Sequence, residues 1–477
     1  MLFNSFEFLI FLPVVFLLYW LVFAWNVRVQ NAFILVASYF FYACWDWRFL
    51  FLLFFVTLIS YSAGLFIDTT DNNGRGQKAF WCVTIILCLN LGLLGVFKYF
   101  NFFVQSFVDI FHLFGKEVSV NTVKIVLPIG ISFYIFTATG YVIDVYRRKI
   151  NATKDALSFF AYVSFFPALF CGPIGRATKQ LPQFFTRRVF NYEMAVHGVG
   201  IILWGFFIKL CVADRLGVYV DAVYGNIVQH NGTSLLVASL FYTIQIYCDF
   251  CGYSLLALGT GKLLGIELIN NFERPYFAKT VTEFWKRWHI SLTTWFRDYL
   301  YFSLGGNRVS HIRWILNILI VFTVSGLWHG AAYTFIIWGA LHGIIMVIER
   351  EIYGDKIKTL SSKITFPNIL RMTLTFALVT LAWIFFRADT IGDAFTVIGK
   401  IFTEPGKLFI KYRVFAFGGI SFLFLLIKDL KDEFFVERFH FYTNPNMVIR
   451  FGTYALTLIL ILLTGVLDSG QFIYFQF

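Results

Sequence analysis

Residues 323–343 read TVSGLWHGAAYTFIIWGALHG and contain no aspartate, glutamate, lysine or arginine. Two apolar segments, residues 315–327 and 331–348, meet here at His329, which Gly326 and Gly330 flank. Ionisable side chains within a membrane are rare, and they usually face a cavity or a partner group. Small neighbours also allow another backbone or a ligand to approach closely. The stretch therefore predicts membrane helices around a functional interior.

The rest of the chain supports a membrane protein. Of its 477 residues, 59% are hydrophobic and 14% are charged, whereas soluble domains carry about 25% charged residues. Apolar stretches recur along the chain, and some are shorter than the roughly 20 residues that a spanning helix needs. Short stretches with Pro or Gly, such as 127–136, survive at membrane depth only where protein or a cavity surrounds them. We therefore expect an all-α polytopic protein in one membrane domain, 1–477, with roughly 11–13 spanning, re-entrant and interfacial helices.

The distribution of basic residues indicates the orientation of the chain. The formal net charge is +12, and the bases form short clusters beside apolar segments, which favours the positive-inside rule over nucleic-acid binding. Arg28 follows the first apolar segment, and no base follows the last. We therefore expect both termini, including the aromatic tail 468–477, outside the cytoplasm. Residues 157–170 have bases on both sides, which predicts a re-entrant hairpin.

Residues 283–301 predict an amphipathic helix on the cytoplasmic face. Its apolar stripe has helical spacing, and its opposite face carries Lys286, Arg287 and Arg297. These bases suit lipid phosphates or, alternatively, the mouth of a site for an anionic cytosolic donor. His289 lies on the apolar stripe, where it is either a hydrogen-bonded interior histidine or a catalyst. The stripe comprises Trp285, Trp288, His289, Leu292, Trp295, Phe296 and Tyr299.

His329 is the candidate general base. The ordinary pKa of an imidazole, about 6.5, allows it to accept a proton from a nucleophile at neutral pH. The alternative is a histidine that caps a helix break. His342 also precedes a glycine, but it lies in a continuous apolar segment, which favours packing.

A further polar group lies in the apolar stretch 245–254. Gln245 and Asp249 are i, i+4 neighbours, so they share one face of a helix, and a buried carboxylate must be paired or neutralised. We expect a structural role, in which Asp249 orients a histidine or pairs with a loop arginine. Cys248 and Cys251 have the spacing of a metal or redox motif, but without a second pair we expect them to pack, and we expect no metal site.

Several motifs resemble the membrane-bound O-acyltransferase family, above all its bacterial branch that O-acetylates exported polysaccharides. The resemblance implies a helical bundle around a tunnel from the cytosol to the outer face, with an essential histidine that matches His329. It matches His289 to the family's second polar position. The motifs are LPIGISFYIF (127–136), CGPIGR (171–176), QIYCDFCGYS (245–254), NNFERPY (270–276), TEFWKRWHISLTTWFRDYLY (282–301), LGGNR (304–308) and SGLWHGAAYTFIIWGALHG (325–343).

The tail belongs to the same resemblance. Residues 472–477, FIYFQF, match an F-x-Y-x-x-F pattern in which the tyrosine, here Tyr474, is thought to carry the acyl group. The resemblance implies acetyl-coenzyme A as donor, the bacterial inner membrane as location, and an extracytoplasmic SGNH-type transferase as the partner that acetylates the polysaccharide.

Alternatives to this mechanism stay open. In one, His329 activates an external hydroxyl directly and the tail only docks the partner. In another, D-alanyl transfer to a teichoic acid or another envelope acceptor replaces acetyl transfer. A channel or transporter is a different class, and it predicts inverted repeats, which the sequence does not show.

Overall fold

The computed structural model describes residues 1, 3, 5–70, 76–116, 125–354, 364–435, 442, 444–466 and 473. Within these ranges the chain is helical and contains no β-strand, which confirms the all-α class. The helices are α1 Phe6–Leu21, α2 Val27–Asp46, α3 Leu50–Thr70, α4 Gln77–Leu94, α5 Phe100–Leu113, α6 Ile131–Tyr146, α7 Ala156–Val163, α8 Phe166–Leu169, α9 Ala177–Gln180, α10 Tyr192–Phe207, α11 Asp214–Tyr224, α12 Gly232–Leu263, α13 Val281–Arg287, α14 Ile290–Phe296, α15 His311–His329, α16 Tyr333–Tyr353, α17 Phe366–Arg387, α18 Ile391–Thr403, α19 Gly419–Phe434 and α20 Met447–Thr464.

Among the described residues, seven helical stretches are long and apolar enough to cross a bilayer. They make the chain a polytopic membrane protein, as its composition predicts. Two further apolar helices, α1 and α6, are shorter than these seven. The seven stretches are Val27–Thr70, Gln77–His112, Tyr192–Tyr224, Gly232–Leu263, His311–His329, Phe366–Arg387 and Met447–Thr464.

The hairpin predicted at 157–170 consists of two short helices. α7 has eight residues and α8 has four, so at 1.5 Å per residue neither can cross the roughly 30 Å hydrocarbon core. A turn at Ser164 and Phe165 separates them. This geometry suits a re-entrant segment, and the side of the membrane on which its ends lie stays a prediction.

The chain divides into two compact units, residues 1–198 with 257–269 and residues 199–256 with 270–477. In the first unit, buried amides join neighbouring helices. Asn90 on α4 donates to Ser60 on α3 and to Thr139 on α6, at 3.4 and 3.2 Å. Such hydrogen bonds between helices replace the hydrophobic driving force that a bilayer does not supply.

The second unit contains the candidate histidines. Its helices α15 and α16 pack closely because glycines face each other across the contact. A Cβ on Gly326 would lie 2.2 Å from the carbonyl oxygen of Phe335, and one on Gly339 would lie 2.2 Å from that of Phe322. The expectation that small residues near His329 admit another backbone is therefore confirmed.

Candidate active site

The segment around His289 is broken. α13 ends at Arg287 and α14 begins at Ile290, while Trp288 is extended and His289 has φ 42° and ψ 54°. The prediction of one continuous helix over 283–301 is therefore wrong. All members of the predicted apolar stripe are nevertheless buried. The break is only two residues long, so helices α13 and α14 on either side of it keep the stripe residues facing the interior.

His289 adopts a left-handed conformation that non-glycine residues use infrequently. Asn271, itself fully buried, holds the backbone that follows. Its carbonyl oxygen accepts a bond from the Ile290 amide at 3.0 Å, and its Oδ1 accepts one from the Ser291 amide at 3.2 Å. Its Nδ2 donates to Ser254 on α12 at 3.2 Å. Asn271 thus satisfies amides that the first turn of a helix leaves without partners, and it fixes His289 at the break.

Glu349 fixes the other end of α13. Its carboxylate accepts bonds from the amides of Val281 and Thr282, at 2.5 and 2.9 Å, and from the Thr282 hydroxyl at 2.9 Å. The Thr280 hydroxyl caps the same helix through the Glu283 amide at 3.0 Å. A carboxylate at a helix N-terminus is favoured by the free amides and by the helix dipole. α13 is therefore fastened to α16 before the chain reaches His289.

His329 is the last residue of α15, and the structure brings it to His289. The ring centres of the two imidazoles lie 6.2 Å apart, and both side chains are buried. The indole of Trp328 contacts both imidazoles, with ring centres 4.9 Å apart for His329 and 5.9 Å apart for His289. Trp338 and Phe386 contact His329. The pair thus lies in a pocket of aromatic rings from which bulk water is excluded.

The environment of His289 keeps its imidazole neutral. His289 lies outside the spanning helices, and burial lowers its pKa to about 3. Its ring also packs edge-on against Phe250, with ring centres 4.6 Å apart. A neutral imidazole offers one acceptor nitrogen and one N–H donor, so at neutral pH it can orient a polar group or relay a proton.

His342 has a different role from the pair. It lies within the continuous helix α16, fully buried, with its ring centre 5.1 Å from those of Trp285 and Trp338. Its ring nitrogens have no hydrogen-bond partner among the described residues. The prediction that His342 packs is confirmed.

A cavity of about 460 Å³ lies on the side of α13 and α14 that carries the predicted basic residues. Lys286 and Arg297 line it, and Ser325, one turn before His329 on α15, lines it as well. Aromatic and aliphatic side chains form most of the remaining wall; among them are Trp285, Ile290, Phe296, Ile318, Val321, Phe322 and Met346. The volume falls in the range of small-molecule sites, about 300–1,000 Å³.

Arg287 does not belong to this cavity lining. Its guanidinium pairs with Glu283 at 2.7 Å and with Glu433 on α19 at 2.8 Å. Glu433 also accepts a bond from Arg274 at 2.8 Å. Two carboxylates neutralise Arg287, whereas Arg297 pairs with one among the described residues, Asp298, at 2.9 Å. Arg287 is therefore less available to an anionic donor than Lys286 or Arg297.

Asp249 has a partner that the sequence reasoning missed. Lys209, inside the spanning stretch 192–224, lies 2.5 Å from Asp249 and 2.7 Å from Asp214. The predicted partners, a histidine or a loop arginine, are therefore wrong. The sequence contained an indication of this ion pair, because a lysine between the apolar residues of a membrane span needs a carboxylate nearby. Gln245 packs against α11 at Gly217.

Close packing of α10 against α12 brings Lys209 to Asp249. A Cβ on Gly205 would lie 3.0 Å from the carbonyl oxygen of Gly252, and one on Gly252 would lie 3.0 Å from that of Gly205. Lys209 follows Gly205 by one turn and Asp249 precedes Gly252 by nearly one turn, so the two side chains meet beside the crossing.

Most of the aromatic tail, including Tyr474, lies outside the described residues. Within 468–477 the structure describes Ile473, which is buried. The amide of Ile473 donates a hydrogen bond to Oδ2 of Asp249 at 2.9 Å.

The described helices form a polytopic membrane protein in which two buried histidines meet, and the family model for MBOAT, the membrane-bound O-acyltransferase family, matches residues 34–386. The chain belongs to this family and is an O-acyltransferase, which sets the channel and transporter alternative aside.

The individual relatives include O-acetylases. The chain is 38% identical to the "Probable alginate O-acetylase AlgI" of Pseudomonas aeruginosa, over 88% of this chain and 82% of that protein. It is 35% identical to the peptidoglycan O-acetyltransferase of Helicobacter pylori, over 83% and 79%. The teichoic acid D-alanyltransferase of Bacillus subtilis is 27% identical, over 54% and 68%.

Proposed function

We propose that this O-acyltransferase moves acetyl groups from cytosolic acetyl-coenzyme A across the bacterial inner membrane to an exported polysaccharide. The relatives named for alginate and peptidoglycan support this acceptor class. The observation that carries the proposal is the buried pair of His289 and His329, with ring centres 6.2 Å apart, near a cavity lined by two basic side chains.

The donor binds in this cavity. Lys286 and Arg297 are exposed, and they suit the phosphates of coenzyme A because ammonium and guanidinium groups form charge-assisted bonds to phosphate oxygens. The apolar wall accommodates the pantetheine arm, which directs the thioester toward the end of α15. Ser325 in the wall lies one turn before His329, so the cavity leads toward the proposed base.

His329 acts as the general base. The ordinary pKa of a phenol is about 10, so Tyr474 needs a base at neutral pH. His329 accepts the phenolic proton while the tyrosine oxygen attacks the thioester carbonyl, and the new C–O bond replaces the C–S bond. The proton on His329 passes to the departing thiolate. His289, neutral beside it, orients the reacting groups.

The acetyl-tyrosine then leaves the interior. With both termini outside the cytoplasm, the tail presents its ester to an extracytoplasmic SGNH-type transferase, which moves the acetyl group to a polysaccharide hydroxyl. An uncharged aromatic tail suits this movement, because a charged one would be costly to transfer into an apolar bore.

Labelling tests the carrier role. Purified protein is incubated with acetyl-coenzyme A labelled in the acetyl group and then digested. We expect the label on the C-terminal peptide, and we expect the Tyr474→Phe variant to lose it. Retained polysaccharide acetylation by Tyr474→Phe in cells would contradict the covalent role and favour direct transfer, with the tail as a docking element.

Kinetics test the donor site. We expect Lys286→Gln and Arg297→Gln each to raise KM for acetyl-coenzyme A about tenfold, since one charge-assisted bond contributes roughly 1.5 kcal/mol. Arg287→Gln is the matched control and should leave KM unchanged, because Glu283 and Glu433 already pair with Arg287. Equal effects of all three substitutions would contradict a site at this cavity.

A further inference from the structure

The chain is held at two points on either side of the segment 467–472. At the end of α20, the guanidinium of Arg215 donates to the carbonyl oxygens of Thr464 and Gly465, at 2.6 and 3.1 Å. The amide of Val466 donates to the carbonyl oxygen of Leu210 at 3.1 Å. The amide of Ile473 then donates to Asp249 at 2.9 Å. Beyond α20 the chain is thus attached, at Ile473, to a buried carboxylate of α12.

The carboxylate of Asp249 can accept a hydrogen bond from the tail in addition to its ion pair. Asp249 is 2% exposed, and Lys209 at 1% exposure keeps it paired. Lys209 also pairs with Asp214, so two carboxylates share one ammonium group and the cluster of three side chains retains acceptor capacity. A carboxylate accepts a backbone N–H strongly when water is excluded. Lys209 itself lies in the π-helical turn Ile208–Ala213, and such turns occur frequently at functional sites.

The residue that follows the attachment point on α12 contacts the histidine pair. Phe250 follows Asp249 on α12, and its ring contacts His289 at 4.6 Å between ring centres. His289 in turn faces His329. The residue after Ile473 is Tyr474, the proposed acetyl carrier.

We infer that Asp249, held by Lys209, is a positioning residue that docks the chain's own C-terminal tail through the backbone amide of Ile473. This bond sets the register of the tail, so that Tyr474 is the residue delivered to the histidine pair. The inference rests on the proposed function for its purpose, but the docking itself is independent of any acetyl transfer.

Hydrogen exchange of the full-length protein tests the docking. We expect the C-terminal peptide of the wild type to be protected, and Asp249→Ala to raise its exchange rate about tenfold or more, as expected for a hydrogen bond to a charged group. Asp221→Ala, which removes an exposed carboxylate on α11, is the control and should change nothing. An unchanged rate in a folded Asp249→Ala protein would overturn the inference.

Two tail variants keep the test valid if Asp249→Ala does not fold. Ile473→Pro removes the donor N–H and also restricts the backbone, whereas Ile473→Val retains the N–H and nearly the same shape. We expect Ile473→Pro to lower kcat for labelling of the tail about tenfold at an unchanged KM for acetyl-coenzyme A. We expect Ile473→Val to behave as wild type. Equal labelling of the two variants would overturn the docking.

These outcomes separate the docking from the acetyl carrier. If the wild-type tail is protected in an Asp249-dependent way and never labelled, the docking stands and the covalent role of Tyr474 fails. If the wild-type tail is labelled and Ile473→Pro is labelled equally, the carrier stands and the docking fails.

Discussion

Two histidines on neighbouring helices precede a glycine, and the fold uses them differently. His329 ends α15, and its ring faces His289. His342 lies in the middle of α16, between Trp285 and Trp338. Both are buried, so burial does not distinguish them. The difference is the backbone, because α15 ends at His329 whereas α16 continues through His342.

Removal of the imidazole of His329 should have the largest effect on the rate of acetyl transfer. We expect His329→Ala to lower acetyl transfer by about 10²–10⁴-fold, the usual contribution of a general base, with little change in the amount of folded protein. Labelled acetyl transfer in membranes measures it. Transfer at the wild-type rate would remove His329 from the mechanism and erase its contrast with His342.

Substitution of His289 is expected to have the next largest effect, and it separates the ring from the backbone. His289→Gly removes the imidazole but tolerates a positive φ, whereas His289→Val removes the ring and strains the backbone. We expect both to lose about 10²-fold in transfer rate, and only His289→Val to be less stable. Measurements of activity and of thermal unfolding distinguish the two. Full activity of His289→Gly would show that the break, not the ring, matters.

The low pKa of His289 predicts that the free energy of unfolding depends on pH. The folded protein keeps His289 neutral down to about pH 3, while the unfolded chain protonates it below about pH 6.5. Its contribution to the free energy of unfolding is therefore complete above pH 6.5 and is lost as the pH falls toward 3. We expect wild type to lose more stability than His289→Gly between pH 7 and pH 5. Parallel losses would contradict a neutral buried His289.

Asn271 tests whether the break itself needs support. Asn271→Ala leaves the Ser291 amide without its side-chain acceptor and removes the bond to Ser254. A lost buried hydrogen bond costs about 1–3 kcal/mol, and we expect kcat to fall about tenfold as His289 shifts. Asn271→Asp keeps the Oδ1 acceptor and should recover part of kcat. Activity equal to wild type in Asn271→Ala would mean that other contacts hold the break.

The smallest effect should come from His342. His342→Met conserves volume, and such swaps usually cost less than about 1.5 kcal/mol. We expect the transfer rate to stay within about twofold of wild type, with a modest loss of thermal stability. A large loss of rate without unfolding would give His342 a chemical role like that proposed for His329.

Much of this arrangement could be predicted from the sequence. Helical spacing identified the buried stripe, and glycines beside His329 indicated the close packing of α15 on α16. The break at His289 could not be found in this way, because two non-helical residues barely change the spacing and histidine is not a typical left-handed residue. The pairing of Arg287 with a second carboxylate, which distinguishes it from exposed Lys286 and Arg297, depends on Glu433, which is distant in sequence.

Helix α16 connects the two elements that carry the histidine pair. Near its start, Gly339 packs on α15 just before His329, and ten residues later Glu349 binds the first amides of α13, which leads to His289. Ten residues of helix span about 15 Å. This part of α16 therefore fixes the distance between the end of α15, which carries His329, and the start of α13, which leads to His289. An insertion of one residue between Gly339 and Glu349 would turn Glu349 by about 100° and detach α13. We therefore expect the spacing of the proposed catalytic pair to depend on the length of α16.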